Sequence, residues 1–195
     1  MPPGMKYDLK PMEVERELCN QKTIYRLTGG FNLDDDKLPE GTRIPHLAPL
    51  AIDFSTRKAK VVKNVKIVEA AAVDATALKV QKGSFAYVGM FLGTGTKGTT
   101  VAAIDKTNPD FDVLTIETAL TVTVSVGDVL FESAAVGGTT VKNKAIALNY
   151  AHAVKVEPGA TLTAIGKVYE IKESRLYVPI SEKDKVTLTS RFMFV

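Results

Sequence analysis

The feature that most constrains this chain is a series of short apolar–polar alternations, cut at regular intervals by turn residues. Leu120-Thr-Val-Thr-Val-Ser-Val126 is the clearest, with Leu120, Val122, Val124 and Val126 on one side and hydroxyl side chains on the other. Side chains of an extended strand point alternately to its two faces, so a period of two predicts a half-buried strand. Gly127-Asp128 follows, a pair suited to positive φ, and then Val129-Leu-Phe-Glu132, which together predict a hairpin. Further strands are predicted over residues 60–68, 78–81, 85–92, 99–105, 111–117, 161–172 and 186–195. Lys82-Gly83, Asn108-Pro109-Asp110 and Pro158-Gly159 turn the chain between them. Glycine takes positive φ freely, proline presets φ, and Asn and Asp bond nearby backbone. Glu69-Ala-Ala-Ala-Val-Asp-Ala75 is alanine-rich and could form a short helix, whereas residues 144–156 read as strand. Strands this short and this evenly punctuated predict a mainly β fold, a compact sandwich or barrel body.

Residues 1–50 have a different texture. They hold Pro2, Pro3, Pro11, Pro39, Pro45 and Pro49, six of the nine prolines. Each removes a backbone donor, which disfavours long regular elements. Met12-Glu-Val-Glu-Arg-Glu-Leu-Cys19 could make a short helix, Asp34-Asp-Asp-Lys37 is solvated loop, and Leu38-Pro-Glu-Gly41 is a turn. The expected division is therefore an irregular, extended, partner-contacting arm over 1–50 and a β-rich body over 51–195.

Composition excludes several classes. At 195 residues, 45% hydrophobic and 24% charged, the chain is neither collagen-like nor disordered, and it can bury a core without disulfides. Lys and Arg number 25 against 22 Asp and Glu, a balance that argues against nucleic acid as a partner. No run approaches the roughly 18 apolar residues of a spanning helix, so no membrane partner is expected. Met1-Pro-Pro-Gly-Met-Lys6 lacks the basic flank and apolar run of a secretory leader, and cytoplasmic synthesis is expected.

A search for reactive groups finds no catalytic, cofactor-binding or metal-binding constellation. Gly93-Thr-Gly95-Thr-Lys-Gly98 has dinucleotide-loop spacing, but β-branched residues and then Pro109 follow it where a helix is required. His46 and His152 each lack a second ligand at metal spacing, and Cys19 stands alone. The acidic residues Asp105, Asp110, Asp112, Glu117, Asp128 and Glu132 are scattered. Arg57, Lys58, Lys60, Lys63 and Lys66 cluster. On a strand they are either the lysine guard of a solvated edge or a docking surface for an acidic protein. The last residues, Phe192, Met193, Phe194 and Val195, are either a core strand or a strand closing on a neighbouring subunit.

Several short blocks between residues 38 and 132 carry a resemblance. Leu38-Pro-Glu-Gly-Thr42, Ala48-Pro-Leu-Ala-Ile-Asp53 and Thr56-Arg-Lys-Ala-Lys-Val-Val-Lys-Asn64 resemble the opening of tailed-bacteriophage head fiber proteins. Val80-Gln-Lys-Gly-Ser84 and Val88-Gly89 are similar to the next turn of that family, with Met90 departing from it. Asp110-Phe-Asp-Val-Leu-Thr-Ile116 and Val126-Gly-Asp-Val-Leu130 resemble the β-rich body of phage head decoration proteins. The resemblance implies a non-enzymatic virion protein on the outer capsid surface, a homotrimer whose partner is the major capsid protein. The basic cluster would then meet the capsid, and residues 192–195 would meet another subunit. A carbohydrate-binding or adhesin-type β module, with Tyr150, Tyr169 and Tyr177 as candidates, is the alternative; a small hydrolase would need a carboxylate pair in a cleft.

Overall fold

The computed structural model describes residues 17–151 and 153–195. The chain begins with β1 (Tyr25–Arg26), β2 (Phe31–Leu33), β3 (Arg43–Pro45), β4 (Pro49–Asp53) and β5 (Lys58–Val61). It continues through β6 (Asn64–Lys66), β7 (Ala77–Gln81), β8 (Phe91–Gly93), β9 (Gly98–Asp105), β10 (Phe111–Ile116) and β11 (Val129–Glu132). It then returns through β12 (Ala147–Asn149), β13 (Ala153–Lys155), β14 (Thr161–Leu162) and β15 (Ala164–Ile171), a helix α1 (Glu182–Leu188), and β16 (Phe192–Phe194).

Two sheets organise these strands. The first runs β1-β15-β12-β4-β5-β2-β14, with β16 parallel to β15. β1 and β2 follow one another, and so do β14 and β15; each of the first pair lies antiparallel to one of the second, so the sheet curls back on itself. Its pleat sorts side chains into two cores. Leu50, Ile52, Ala147 and Ala164 face inward to Phe31, Ala59, Val61 and Leu162. Ala51, Leu148 and Ile165, their neighbours in sequence, face the other way, where Ile180, Leu188 and Phe192 of the C-terminal segment cover them. The second sheet runs β6-β11-β8-β9-β10-β7 around Val65, Leu78, Val80, Leu92, Val101, Leu114 and Leu130. An Ile67–Val80 bridge, and a 3.0 Å bond from the Val68 N–H to the Lys79 carbonyl, join its two ends. Every strand of this second lobe lies between β5 and β12, so it is an insertion into the first.

The mainly β, curled-sheet body agrees with the sequence reading, and the hairpin of β9 and β10 forms around Asn108-Pro109-Asp110 as predicted. Several local expectations are corrected. Residues 17–50, read as part of an irregular arm, instead supply β1 to β4 and the buried Phe31, Ile44 and Leu47. Proline is accommodated because Pro49 opens β4, where its carbonyl still accepts from the Val62 N–H. The arm expectation for residues 1–16, the helix expectation for 12–16, and His152 lie outside the described residues.

The strand expected over 60–68 breaks at residues 62–63, because β5 pairs in one sheet and β6 in the other. β5 lies between β4 and β2, so Lys58 and Lys60 do not guard an edge. Residues 120–126 form no strand: Thr121 takes φ 58°, only Val124 makes a bridge, to Ala71, and Val126 is 66% exposed. The Val129–Glu132 strand pairs with β6 and β8 instead. Residues 69–75 are not helical, 85–90 are irregular, and 186–195 begin in α1 and reach strand only at β16.

Candidate functional site

The β4–β5 hairpin carries three of the five basic candidates. Its turn is built by Asp53, whose carboxylate accepts from the Ser55 N–H (2.8 Å), Ser55 Oγ (2.6 Å), Thr56 N–H (3.3 Å) and Thr56 Oγ1 (2.7 Å). Those hydrogen bonds hold the Asp53 carboxyl well below the usual carboxylate range. Arg57 follows at φ 56°, a left-handed conformation that costs a non-glycine residue strain. Its side chain is tied down: Nη2 donates to the Thr28 carbonyl at 3.0 Å, and the guanidinium lies 4.9 Å from the Phe31 ring centre. Phe54, at the tip, meets the same buried ring edge-on at 5.8 Å.

Lys58 and Lys60 project from one face of β5, but acidic groups answer them. Lys58 Nζ is 3.4 Å from Asp34. The Asp36 carboxyl is held below its usual value first by its bond from Lys37, with the Lys60 charge the smallest of the contributions. Lys66 is half-buried on β6, in the other lobe. Lys63 is not on the surface at all. Its side chain is 2% exposed and ion-paired with Asp35 at 2.7 Å. The structure therefore brings Arg57, Lys58 and Lys60 together and separates Lys63 and Lys66 from them.

Lys63 belongs to a polar seam where the chain passes between lobes. The Glu132 N–H donates to the Lys63 carbonyl at 3.0 Å, and the Lys142 N–H to the Glu132 carbonyl at 2.9 Å. The buried Glu132 carboxylate accepts from Tyr87 Oη and from Lys142 Nζ at 2.9 Å. Burial pulls the Lys142 ammonium down, but these bonds outweigh it and its pKa stands above the usual lysine range. Burial and the bond to Glu132 raise Tyr87. A second link joins β6 to α1: Asn64 Nδ2 donates to Asp184 Oδ2 at 2.7 Å, while Ser181 and Asp184 form a reciprocal capping box. Burial raises the Asp184 carboxyl against the pull of Ser181 and Asn64. Between the lobes lies a cleft of about 490 Å³, lined by Thr94, Thr96, Asp128, Glu173, Ser181 and Lys183 among others.

At the C-terminus, alternation on β16 divides the interface candidates. Phe192 is buried and Phe194 partly so against the second core, while Met193 and Val195 are exposed. The tyrosines occupy different settings. Tyr150 is half-buried under Arg26, Tyr169 lies under Lys167, and Tyr177 is open. Gly93 and Gly98 frame a hairpin loop without a helix, and both pack on Gly138: a Cβ on Gly98 would stand 2.5 Å from the Gly138 Cα. His46 Nδ1 lies 2.6 Å from the Tyr150 carbonyl, and burial followed by the Glu17 charge raises the Cys19 thiol. Asp112, buried, is paired with Lys82 at 3.0 Å. Among the described residues no three His, Cys, Asp or Glu side chains gather in a metal-holding group. Sequence reasoning missed Phe54, Asp53 and the Tyr87–Glu132–Lys142 set. The Asp-Phe-Ser-Thr order of residues 53–56 was the available signal for the first two, because Asp followed by Ser and Thr favours side-chain-locked turns.

No curated protein and no solved structure matches the chain. A family model described as head fiber protein matches residues 4–193, which include both sheets, the β4–β5 hairpin and the seam between lobes. The chain belongs to the phage head fiber protein family.

Proposed function

We propose that this chain is a non-enzymatic structural protein of the virion, fixed to the outer face of the capsid through the major capsid protein and assembled there as a homotrimer. Family membership over residues 4–193 carries the reading. The fold is suited to it: two separately cored lobes are tied by buried polar bonds, which resist relative movement better than an apolar contact alone because leaving such groups unpaired is costly. Three copies at one lattice point would multiply individually weak contacts through effective concentration. Met193, Val195 and the exposed Val186 of α1 supply apolar surface for contact between subunits. Residues 1–16 extend the capsid contact. The protein is made in the host cytoplasm and ends on the virion surface.

The test is decoration of purified capsids lacking this protein. Co-sedimentation that saturates at a fixed number of chains per capsid, with density on the outer face in cryo-electron microscopy, is the expected outcome. Failure to bind capsids, or a single-chain mass for capsid-released protein in light scattering, would overturn attachment or trimerisation respectively. Removal of residues 1–16 should weaken decoration and leave the melting transition in place.

A further inference from the structure

The eight phenylalanines single out one side chain. Phe31, Phe131 and Phe192 are buried, and Phe85, Phe91, Phe111 and Phe194 are partly covered. Phe54 alone is exposed, at 58%, on the tip of the β4–β5 hairpin. A lone exposed apolar residue is common on protein surfaces, but three observations mark this one. The turn that presents it is fixed by the four bonds to Asp53, so little freedom remains to be lost on binding. Arg57, itself an exposed residue, stands beside it, held at positive φ and over Phe31, with one donor engaged, on the Thr28 carbonyl. Aromatic and arginine side chains placed together on a rigid support are the composition of interface hot spots. Finally, the Asp53 charge is taken up inside the turn and Lys58 is answered by Asp34, so the outward charge of the tip comes from Arg57.

We infer that the β4–β5 tip, Phe54 with Arg57, is the anchor that inserts into the capsid: an apolar pocket of the shell protein receives the ring, and a carboxylate at its rim meets the guanidinium. This rests on the capsid-binding reading above. The occupant is the shell rather than the same tip of a second copy, where like guanidinium charges would meet; contact with a different patch of a second copy is the outcome that the oligomeric mass of Phe54→Ser tests.

The experiment measures capsid binding by wild type, Phe54→Ser and Arg57→Gly, each with its melting curve and its mass in solution. Glycine tolerates the positive φ, so the second variant removes the charge without adding strain. Phe54→Ser should bind at least tenfold more weakly while keeping its oligomeric mass. Arg57→Gly should bind more weakly at low salt and lose much of its salt dependence. Wild-type affinity in a folded Phe54→Ser protein overturns the inference and leaves the capsid reading standing. A wild-type protein that fails to bind capsids overturns both, and a Phe54→Ser protein that falls apart into single chains assigns the tip to subunit contact instead. Should serine unfold the protein, a density map of wild-type decorated capsids decides: residues 53–57 seated in the shell support the anchor, and the same residues facing solvent overturn it.

Discussion

Lys63 Nζ lies 2.7 Å from Asp35 Oδ2, and the two side chains, 2% and 3% exposed, are almost wholly withdrawn from water. The same carboxylate also accepts from the Val61 N–H at 3.2 Å. This pair clamps the loop after β2 to the point where the chain leaves the first lobe. Removing one member strands a buried charge, which costs about 3–5 kcal/mol. Lys63→Met should therefore destabilise by that amount in urea unfolding. Adding Asp35→Leu should restore part of the loss, since no lone charge then remains although the Val61 and Lys37 N–H groups lose their acceptor. A double variant as unstable as the single would show that the pair does more than neutralise itself.

The glycine contact between Gly98 and Gly138 is backbone on backbone. A Cβ at residue 98 would stand 2.4 Å from the Val136 carbonyl oxygen, which cannot move aside like a flexible side chain. Gly98→Ala should cost about 1–3 kcal/mol or more, as overpacking does. Gly137→Ala, with open space around its Cβ, should stay close to wild type. Thermal melting of the two variants checks the contrast.

Asp184 makes stability depend on pH in an unusual direction. Its folded pKa stands above the usual 3.8 because it is buried. Over the window from the unfolded value up to the folded one, the folded protein holds a proton that the unfolded chain has released. The contribution of this group is complete below about pH 4 and is lost as pH rises through the folded value. The stability of wild type relative to Asp184→Asn should therefore rise on acidification from neutral pH toward pH 4. Denaturant titrations of both proteins at several pH values measure it, and a flat difference would remove Asp184 as the cause.

Neighbouring residues of β16 should respond in opposite ways. Phe192→Ala opens space in the core beneath the C-terminal segment and should cost about 3–5 kcal/mol. Met193→Ala on the exposed side should change unfolding by no more than about 0.5 kcal/mol. Under the trimer reading, Met193→Ala should instead lower the oligomeric mass at micromolar concentration, which light scattering detects.

What the sequence made legible was the class of structure and those hairpins whose turns carry their own chemistry. Asn108-Pro109-Asp110 is a turn because of residues adjacent to it, so β9 and β10 could be placed. The alternation at residues 120–126 misled, because period two reports that a segment is suited to having two faces, not that a partner strand exists. Here a left-handed Thr121 bends the segment out of line. The helix α1 had a readable start in Ser181 and Asp184, three residues apart, but its run of valine, threonine and leucine suits a strand equally well. The burial of Lys63 was not legible, since Asp35 is 28 positions away and only the fold brings them together. Burial of Lys63, with Lys66 carried into the other lobe, is also why the candidate surface shrank to the hairpin.

The second lobe enters after Val61 and leaves before Ala147, and its two connections are bonded to one another through Glu132. Departure and return points that flank a single strand, β4, make the inserted segment a cassette. A foreign domain with closely spaced ends could be spliced in its place without redrawing the surrounding sheet.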